Sequence, residues 1–385
     1  METISRKIQF PSGSFFLLGP RGTGKSTLLK KRLPGALYID LLNPERYRSL
    51  QARPERLDEL IAGSPGINTV VIDEIQRIPE LLNVIHGAME QPGHPQFIMT
   101  GSSARKLRRG GTNLLGGRAS NHSLHPFMAC ELHKFDLDEA LRLGMVPLVL
   151  DASNPEETLA GYATLYLEQE VQAEGLTRNI GGFSRFLEAI SFSHAAVLNT
   201  SAVARECGVE RRTVVNYIEI LEDLLLGFRV SVFTRRAKRK VASHPKFYYF
   251  DVRVFRSLRP RGPLDSDTEI HGAGLEGLVA QHLRAWISYT KGRHELSYWR
   301  TRGGSEVDFV MYGETGFSAI EVKHSRRVDP SDLRGLKAFR EDYPEVDVAL
   351  IYRGNERRRI DGIWCVPAED FLSKIIPGQR LRFDV

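Results

Sequence analysis

The sequence has few cysteines and no apolar stretch long enough to span a bilayer. Three of its 385 residues are cysteines, Cys130, Cys207 and Cys365, and no two of them form a CxxC pair. This spacing argues against a disulfide framework or a structural zinc site, and it favours a reducing cytoplasm. The polar segment Met1–Lys7 lacks the apolar core of a signal peptide. We therefore expect a cytoplasmic protein without a membrane partner.

The chain also lacks internal repeats and low-complexity tracts, so its composition is that of ordinary folded domains. Hydrophobic residues make up 42% of it, which is enough for two or three domains with their own cores. The formal net charge is +6 and the pI is about 9.2. Because this excess is modest, the position of the charges must decide which partner they favour.

The strongest motif is a glycine-rich loop behind a short apolar segment. Phe15–Leu18 predict a buried strand, and the next residues match the spacing GxxxxGK[ST]. Leu28, Leu29 and Leu33 then recur at helical spacing, so bound phosphates would lie at a helix N-terminus. In this pattern Lys25 reaches the β- and γ-phosphates and the Ser26 hydroxyl holds Mg²⁺. We predict that ATP is bound by the entire loop: Gly19, Pro20, Arg21, Gly22, Thr23, Gly24, Lys25, Ser26 and Thr27.

Two further apolar segments are predicted to end at this loop. Thr69–Asp73 is a β-branched run followed by a second carboxylate, which predicts that Asp73 holds Mg²⁺ through water and that Glu74 polarises the attacking water. The alternative is a strand that merely ends in an acidic loop. Residues 96–103 predict another buried strand, with Thr100 or Ser102 facing the γ-phosphate, unless these small polar residues serve only the turn. Residues 36–40 predict a strand, and residues 46–61 predict a helix.

A basic segment follows, and one of its arginines is a candidate for catalysis. Most of its charges, Arg105, Lys106, Arg108 and Arg109, fit a solvated face. Arg118 follows Leu114–Gly117, and we predict that it stabilises charge in the transition state, in its own subunit or in a neighbour's.

Residues 19–26, 73–76, 100–103, 115–118 and 144–147 together resemble the bacterial and archaeal predicted ATPases of the AAA+ superfamily. In that family an ATPase domain precedes a C-terminal region long classed as a domain of unknown function. The resemblance covers nearly the whole chain. It implies an ATPase fold and activity with Mg²⁺, and a homo-oligomer such as a hexameric ring.

The middle of the chain has the pattern of a helix-turn-helix. Residues 183–197 predict a packed helix, and residues 200–217 predict a short capped helix, a glycine turn and a second amphipathic helix. Arg211, Arg212 and Asn216 lie early on that second helix, where a recognition helix contacts a DNA groove. The alternative is a helix-turn-helix used only for packing.

A basic loop after this motif favours nucleic acid as the partner. Residues 229–233 and 247–250 predict a hairpin, or wing, and the run between them would contact the phosphates of double-stranded or branched DNA. The alternative is a solvated hairpin tip. The predicted contacts in this loop are Arg235, Arg236, Lys238, Arg239 and Lys240.

The last third is predicted to be an α/β domain with a carboxylate site. A helix over 274–286 carries Glu276, and strands follow at 294–300, 306–311 and 319–323. Glu321 and Lys323 share one face of their strand, and Asp308 lies on the neighbouring strand. Carboxylates in this arrangement can hold Mg²⁺, which would generate the attacking hydroxide, while Lys323 positions the water or neutralises charge. The alternative is a hairpin with a solvated polar surface.

This last constellation resembles the PD-(D/E)xK site of Holliday-junction resolvases and restriction enzymes. The resemblance implies that Asp308 and Glu321 hold the metal and that Glu276 and Lys323 assist catalysis. The sequence departs from the motif at Val307, where the family has proline.

We therefore predict an α/β protein with three domains: an AAA+ ATPase domain with a helical extension over 1–180, a winged helix-turn-helix over 181–258, and a restriction-endonuclease-like domain over 259–385. The cluster at 260–263 marks the last boundary. The predicted function is ATP-dependent binding or remodelling of DNA, coupled to metal-dependent cleavage of branched DNA. The alternative is an ATP-gated DNA- or protein-binding switch in which the nuclease-like domain is an inactive scaffold.

Overall fold

The computed structural model describes residues 5–102, 114–162, 179–237, 239, 241, 243–263 and 265–384. The chain divides into two compact units. The N-terminal unit consists of Ile8–His125 with Asp223–Leu225, and the C-terminal unit consists of Met1–Lys7, Pro126–Glu222 and Leu226–Val385. None of the described helices combines the length and the apolar composition that a membrane crossing requires.

The N-terminal unit is built on a parallel five-stranded sheet of order β2-β3-β4-β1-β5. Its strands are β1 (Phe15–Leu18), β2 (Leu37–Asp40), β3 (Thr69–Asp73), β4 (Gln96–Gly101) and β5 (Ser120–Ser123). Its helices are α1 (Lys25–Arg32), α2 (Pro44–Ala52), α3 (Arg56–Ala62) and α4 (Leu81–Met89). Strand β4 lies between β1 and β3, so the ends of β1, β3 and β4 meet at one edge of the sheet.

The central strands are apolar because helices cover both faces of a parallel sheet. All four residues of β1 are buried, and Val70, Ile72, Phe97 and Met99 belong to the core on one side. The predicted helix over 46–61 is wrong in one respect, since the chain forms two helices there. The residue before a proline is disfavoured in helical geometry, and Arg53, which precedes Pro54, has φ −147° and ψ 88°.

The C-terminal unit contains a mixed nine-stranded sheet of order β13-β14-β12-β11-β10-β9-β7-β8-β6. Its strands are β6 (Ala196–Val197), β7 (Gly227–Val232), β8 (Lys246–Tyr249), β9 (His294–Arg300), β10 (Glu306–Gly313), β11 (Gly316–Lys323), β12 (Asp347–Tyr352), β13 (Arg358–Ile360) and β14 (Ile363–Pro367). Its helices are α5 (Leu137–Leu143), α6 (Pro147–Leu150), α7 (Pro155–Gly161), α8 (Ile180–Ser191), α9 (Thr200–Cys207), α10 (Arg211–Asp223), α11 (Val252–Leu258), α12 (Asp267–Tyr289), α13 (Arg334–Asp342) and α14 (Ala368–Lys374).

The helix pair and the hairpin of the middle segment are present. Helix α9 ends at Gly208, whose φ of 65° makes the left-handed turn into α10, and β7 pairs antiparallel with β8. The helix predicted over 183–197 is too long, because α8 ends at Ser191 and β6 takes the last two residues.

The hairpin joins the sheet of the last third. Ser231 and Val232 of β7 pair in parallel with Ser297 and Tyr298 of β9, so one sheet runs through the segments predicted as 181–258 and 259–385. Residues on both sides of the predicted boundary at 260–263 accordingly belong to the same compact unit.

Candidate functional site

The glycine-rich loop joins β1 to α1, and two of its side chains donate hydrogen bonds to backbone carbonyl groups of the same loop. Gly22 and Gly24 have φ values of 79° and 85°, which a residue with a side chain rarely adopts, and α1 begins directly after Gly24. The buried Lys25 ammonium donates hydrogen bonds to the carbonyl oxygens of Gly19 at 2.7 Å and Pro20 at 3.3 Å. The Thr23 hydroxyl donates to the Pro20 carbonyl at 2.7 Å. Lys25 would therefore exchange two carbonyl acceptors for phosphate oxygens when it binds a nucleotide.

Two hydroxyl groups donate to the Asp73 carboxylate at the end of β3. One belongs to Tyr38 on β2 and the other to Thr100 on β4. Burial and the hydrogen bond to Asp73 raise the pKa of the Tyr38 hydroxyl, which also shares a hydrogen bond with Ser26. The Tyr38 hydroxyl thus lies between the two residues predicted to hold Mg²⁺.

The donors at this point fit a magnesium ion. Ser26 and Asp73 present oxygen atoms around one hydroxyl, and Mg²⁺ prefers oxygen ligands. Asp73 is buried, and no basic side chain within the described part of the chain forms an ion pair with it. A bound ion would supply the charge that neutralises this carboxylate and the phosphates.

Glu74 is held in a strained conformation next to Asp73. Its φ of 64° and ψ of 46° lie in the left-handed region. The Glu74 backbone N–H donates to the Thr100 hydroxyl at 3.1 Å, and its carboxylate accepts a hydrogen bond from the Gln76 amide at 2.6 Å. That amide also donates to the Ser102 hydroxyl at 3.2 Å. Gln76 therefore links two residues predicted to act on the nucleotide, and sequence reasoning assigned it no role.

Arg118, predicted to stabilise transition-state charge, makes contacts with α4. Its guanidinium lies 2.7 Å from His86 Nε2 and donates to Glu90 at 3.1 Å. The Arg118 side chain is 44% exposed.

A second group of polar residues lies in the C-terminal unit, and we call it the carboxylate cluster: Glu276 of α12, Glu306 and Asp308 of β10, and Glu321 of β11. Strands β10 and β11 pair antiparallel with Phe309 opposite Ile320, and the Val322 N–H donates to Asp308 Oδ2 at 2.9 Å. The predicted residues Glu276, Asp308, Glu321 and Lys323 therefore come together.

Lys246 of β8 lies among three of these carboxylates. Its Nζ atom is 2.6 Å from Glu306, 2.9 Å from Asp308 and 3.0 Å from Glu276, and its side chain is only 3% exposed. The Tyr248 hydroxyl also donates to Glu276, at 2.6 Å. Lys323 forms an ion pair with Glu321 Oε1 at 2.7 Å, while the buried Glu321 Oε2 has no hydrogen-bond partner among the described residues.

Burial and like charge set the protonation of the cluster. Burial, with Asp308 nearby, raises the pKa of Glu276 to about 7 and raises the pKa of Glu321. Burial alone would lower the pKa of Lys246, but Asp308 and Glu276 outweigh it, so that pKa is raised and the ammonium stays charged.

This cluster does not fit a magnesium ion while Lys246 remains in place. Mg²⁺ needs oxygen ligands at about 2.1 Å in octahedral geometry. Both Asp308 oxygens already accept hydrogen bonds, and the Lys246 ammonium lies among the carboxylates of Glu276, Glu306 and Asp308. Within the described ranges, no set of three or more His, Cys, Asp or Glu residues is placed to hold a metal ion.

A groove of about 620 Å³ lies at the start of α9 and α10, near the carboxylate cluster. Its polar lining includes Thr200, Arg211, His244 and Arg300. Arg211 donates to the Thr200 hydroxyl at 3.1 Å, and Arg300 lies 3.4 Å from Glu306 of the cluster. Arg211 and Arg212 are exposed, and neither forms a salt bridge with another described residue. Sequence reasoning missed His244 and Arg300, which no motif marks.

The described arginines of the basic loop differ in their contacts. Arg235 forms an ion pair with Glu295 at 2.8 Å, and Arg239 forms ion pairs with Glu341 at 3.1 Å and Asp342 at 3.0 Å. Arg236 is exposed. The predictions for Lys238 and Lys240 lie outside the described residues. Acidic partners thus neutralise part of the positive charge that the sequence assigned to DNA.

Comparison with family models divides the chain into three segments. Residues 12–133 match an AAA domain. Residues 134–265 match a domain of unknown function, DUF8612, and residues 271–371 match another, DUF4143. Residues 12–133 are thus similar to AAA domains, a family associated with nucleotide binding and hydrolysis, and residues 271–371 are similar to DUF4143 domains.

Among curated proteins the chain is similar to uncharacterized proteins of Mycobacterium bovis and Mycobacterium tuberculosis. Each is 26% identical over 368 residues, which cover 93% of this chain and 80% of the relative. Among solved structures, the replication initiator DnaA bound to AMPPCP and single-stranded DNA aligns at a TM-score of 0.26 and 12% identity, over 55% of this chain and 82% of that one. Protein VC1899 from Vibrio cholerae aligns at 0.23 and 11%, over 94% and 95%. TM-scores this low carry no conclusion about function. What the comparisons establish is similarity to AAA domains over residues 12–133.

Proposed function

We propose that the protein is an ATPase whose C-terminal unit binds double-stranded DNA, and that the bound nucleotide controls the affinity for DNA. The observation that carries the ATPase part is the Tyr38 hydroxyl, which contacts both Ser26 and Asp73. These residues lie next to the glycine-rich loop, in which Lys25 donates to the Gly19 carbonyl. These residues would bind the triphosphate and Mg²⁺. Glu74 would orient the attacking water, and Gln76 would fix the Glu74 carboxylate.

The groove supports DNA as the partner. Arg211 and Arg300 line it, and Arg212 and Asn216 lie on the same helix as Arg211. Arginine side chains on a groove wall bind phosphates through charge and hydrogen bonds. The basic loop contributes less to this proposal, because Arg235 and Arg239 form ion pairs at 2.8–3.1 Å, whereas Arg300 lies 3.4 Å from Glu306 and Arg211 forms no salt bridge with a described residue.

Residues 259–385 would then form a scaffold that does not cut DNA. Cleavage in the PD-(D/E)xK manner needs a metal ion between Asp308 and Glu321, and Lys246 holds Asp308 in an ion pair. Ring assembly belongs to the proposal as well, since the partly exposed Arg118 could then act on the nucleotide of a neighbouring subunit.

Two variants test the nucleotide site. Lys25→Ala removes the phosphate-binding ammonium and should lower ATP turnover by more than about 100-fold, together with ATP affinity. Glu74→Gln should lower turnover to the same extent but keep ATP affinity within about threefold. Normal turnover in either variant would refute the assignment. The Glu74→Gln variant should bind duplex DNA with an affinity that differs at least about fivefold between its ATP-bound and ADP-bound forms. Equal affinities would refute control by the nucleotide but would leave the ATPase assignment intact.

Salt dependence tests the DNA surface. Each phosphate that a cationic side chain neutralises contributes about 0.9 to the slope of log affinity against log salt, so Arg211→Ser with Arg212→Ser should flatten it by about 2. The matched control, Arg235→Ser with Arg239→Ser, should leave the slope unchanged. The opposite result would move the phosphate-binding surface to the basic loop. Cleavage of a four-way junction with Mg²⁺ or Mn²⁺, abolished by Asp308→Ala, would instead favour a nuclease.

A further inference from the structure

Strand β8 places a lysine where its sequence neighbours are aromatic. Residues 246–249 read KFYY, and all four are buried. Lysine is almost never fully buried unless it is paired, because removing an ammonium group from water is costly. Three ion pairs of 2.6–3.0 Å to the Lys246 Nζ atom offset this desolvation, and they are formed by Glu276, Glu306 and Asp308. The Tyr298 ring, 5.5 Å from Nζ, lies on another side of the same ammonium.

The carboxylates that surround Lys246 come from two different elements of the fold. Glu276 lies on α12, whereas Glu306 and Asp308 lie two residues apart on β10. Carboxylates brought together from a helix and a strand repel one another unless a cation lies between them. The position of that cation is therefore fixed by the fold, and the side chain of Lys246 reaches it.

We propose that Lys246 is a built-in cation that takes the place of a divalent metal ion in the carboxylate cluster, so that the cluster binds no metal in this protein. A metal ion bound to Asp308 would lie close to the ammonium, whose Nζ atom is 2.9 Å from the Asp308 carboxylate, and would be repelled by it. This inference deepens the proposed function, and it rests on the part of that proposal which states that the protein does not cut DNA. Neither ATP hydrolysis nor DNA binding enters its test.

The cluster is also connected to the groove, which gives the built-in cation a consequence for bound DNA. Arg300 lines the groove and lies 3.4 Å from Glu306, and Glu306 in turn contacts Lys246. A phosphate bound at Arg300 would lie near a cluster whose negative charge the Lys246 ammonium already offsets in part. DNA in the groove would be held at this end without a metal ion to activate water.

Titration of the full-length protein with MnCl₂ in the absence of ATP tests the inference. We measure binding by calorimetry in the wild type, in Lys246→Ala and in Lys246→Arg. Lys246→Ala should gain one Mn²⁺ site that the wild-type cluster lacks, and adding Asp308→Asn should remove it. Lys246→Arg keeps the positive charge and should gain no site. Asp308→Asn in the wild type should change nothing, which separates the cluster from the nucleotide site.

Two results would overturn the inference. One is a Mn²⁺ site in the wild type that Asp308→Asn removes, since the metal would then bind with Lys246 present. The other is a folded Lys246→Ala variant without a new site. If that variant does not fold alone, it is refolded with up to 10 mM MnCl₂. Recovery of its circular dichroism spectrum only with the metal supports the inference, and no recovery while Lys246→Arg folds normally contradicts it.

Discussion

A histidine on α12 should make the stability of the C-terminal unit depend on pH in a way that one substitution removes. His282 is fully buried; its Nε2 atom accepts a hydrogen bond from the Ala129 N–H at 2.9 Å, and its Nδ1–H donates to the Leu278 carbonyl at 2.8 Å. Burial lowers the pKa of His282 to about 4. The ring must therefore remain neutral in the folded protein over a pH range in which the unfolded chain takes up a proton.

The magnitude follows from proton linkage. An unfolded histidine has a pKa of about 6.5, and each unit of pKa difference corresponds to about 1.4 kcal/mol. Because the folded pKa is the lower one, the contribution of His282 to stability is present above pH 6.5 and is lost as the pH falls toward 4. Between pH 7.5 and pH 5 the loss is about 2 kcal/mol. His282→Gln keeps an acceptor for Ala129 but cannot titrate.

Other groups in the unit titrate over the same range, so the comparison between variants is the quantity to measure. Burial lowers the pKa of His194 to about 3, and this adds to the loss at low pH. The raised pKa of Glu276, about 7, acts in the opposite direction, because the folded protein then binds the extra proton. Glu321 also opposes the histidines, since its pKa is raised. These contributions are common to both proteins and cancel in the difference.

The assay uses the three tryptophans, Trp286, Trp299 and Trp364, which all lie in the C-terminal unit. Their fluorescence during urea unfolding reports the stability of that unit at pH 7.5 and at pH 5. The loss between the two pH values should be about 2 kcal/mol smaller in His282→Gln than in the wild type. An equal pH dependence in His282→Gln and the wild type would refute the reasoning.

The remaining predictions concern the nucleotide site. Tyr38→Phe removes a half-buried hydroxyl that donates to Asp73 and should lower the stability of the N-terminal unit by about 1 kcal/mol without nucleotide. MgATP should raise the melting temperature more in this variant than in the wild type, and an equal rise would mean that the hydroxyl is not at the Mg²⁺ position. Glu74→Gly should be about 1 kcal/mol more stable than Glu74→Gln in calorimetric melting, because glycine relieves the φ of 64°, while both variants lose turnover. Equal stability of the two variants would show that the backbone at Glu74 is not strained.

The parts of the fold that could be predicted are those whose signals are contiguous in sequence. The strand, loop and helix around Lys25 lie within one short segment, and β9 was predicted with its observed bounds, His294–Arg300. The break between α2 and α3 also had a local signal, since Pro54 disfavours helical geometry at Arg53, but the prediction took residues 46–61 as one helix. The link between β7 and β9 could not be predicted, because two residue pairs decide it and neither strand has a pattern that selects the other.

The ion pairs of Lys246 could have been predicted in part from the sequence. The sequence has no motif for it, because its partners lie 30 to 62 residues away, on α12 and β10. Yet the run KFYY already predicts a buried strand, and a lysine in such a strand must find carboxylates inside the protein. The same sequence places Glu306, Asp308 and Glu321 on strands β10 and β11, and by residue type a metal ion is a natural partner of such carboxylates. A lysine predicted to be buried and a metal ion are therefore alternative partners for the same carboxylates, and an internal ion pair is an alternative to the metal site.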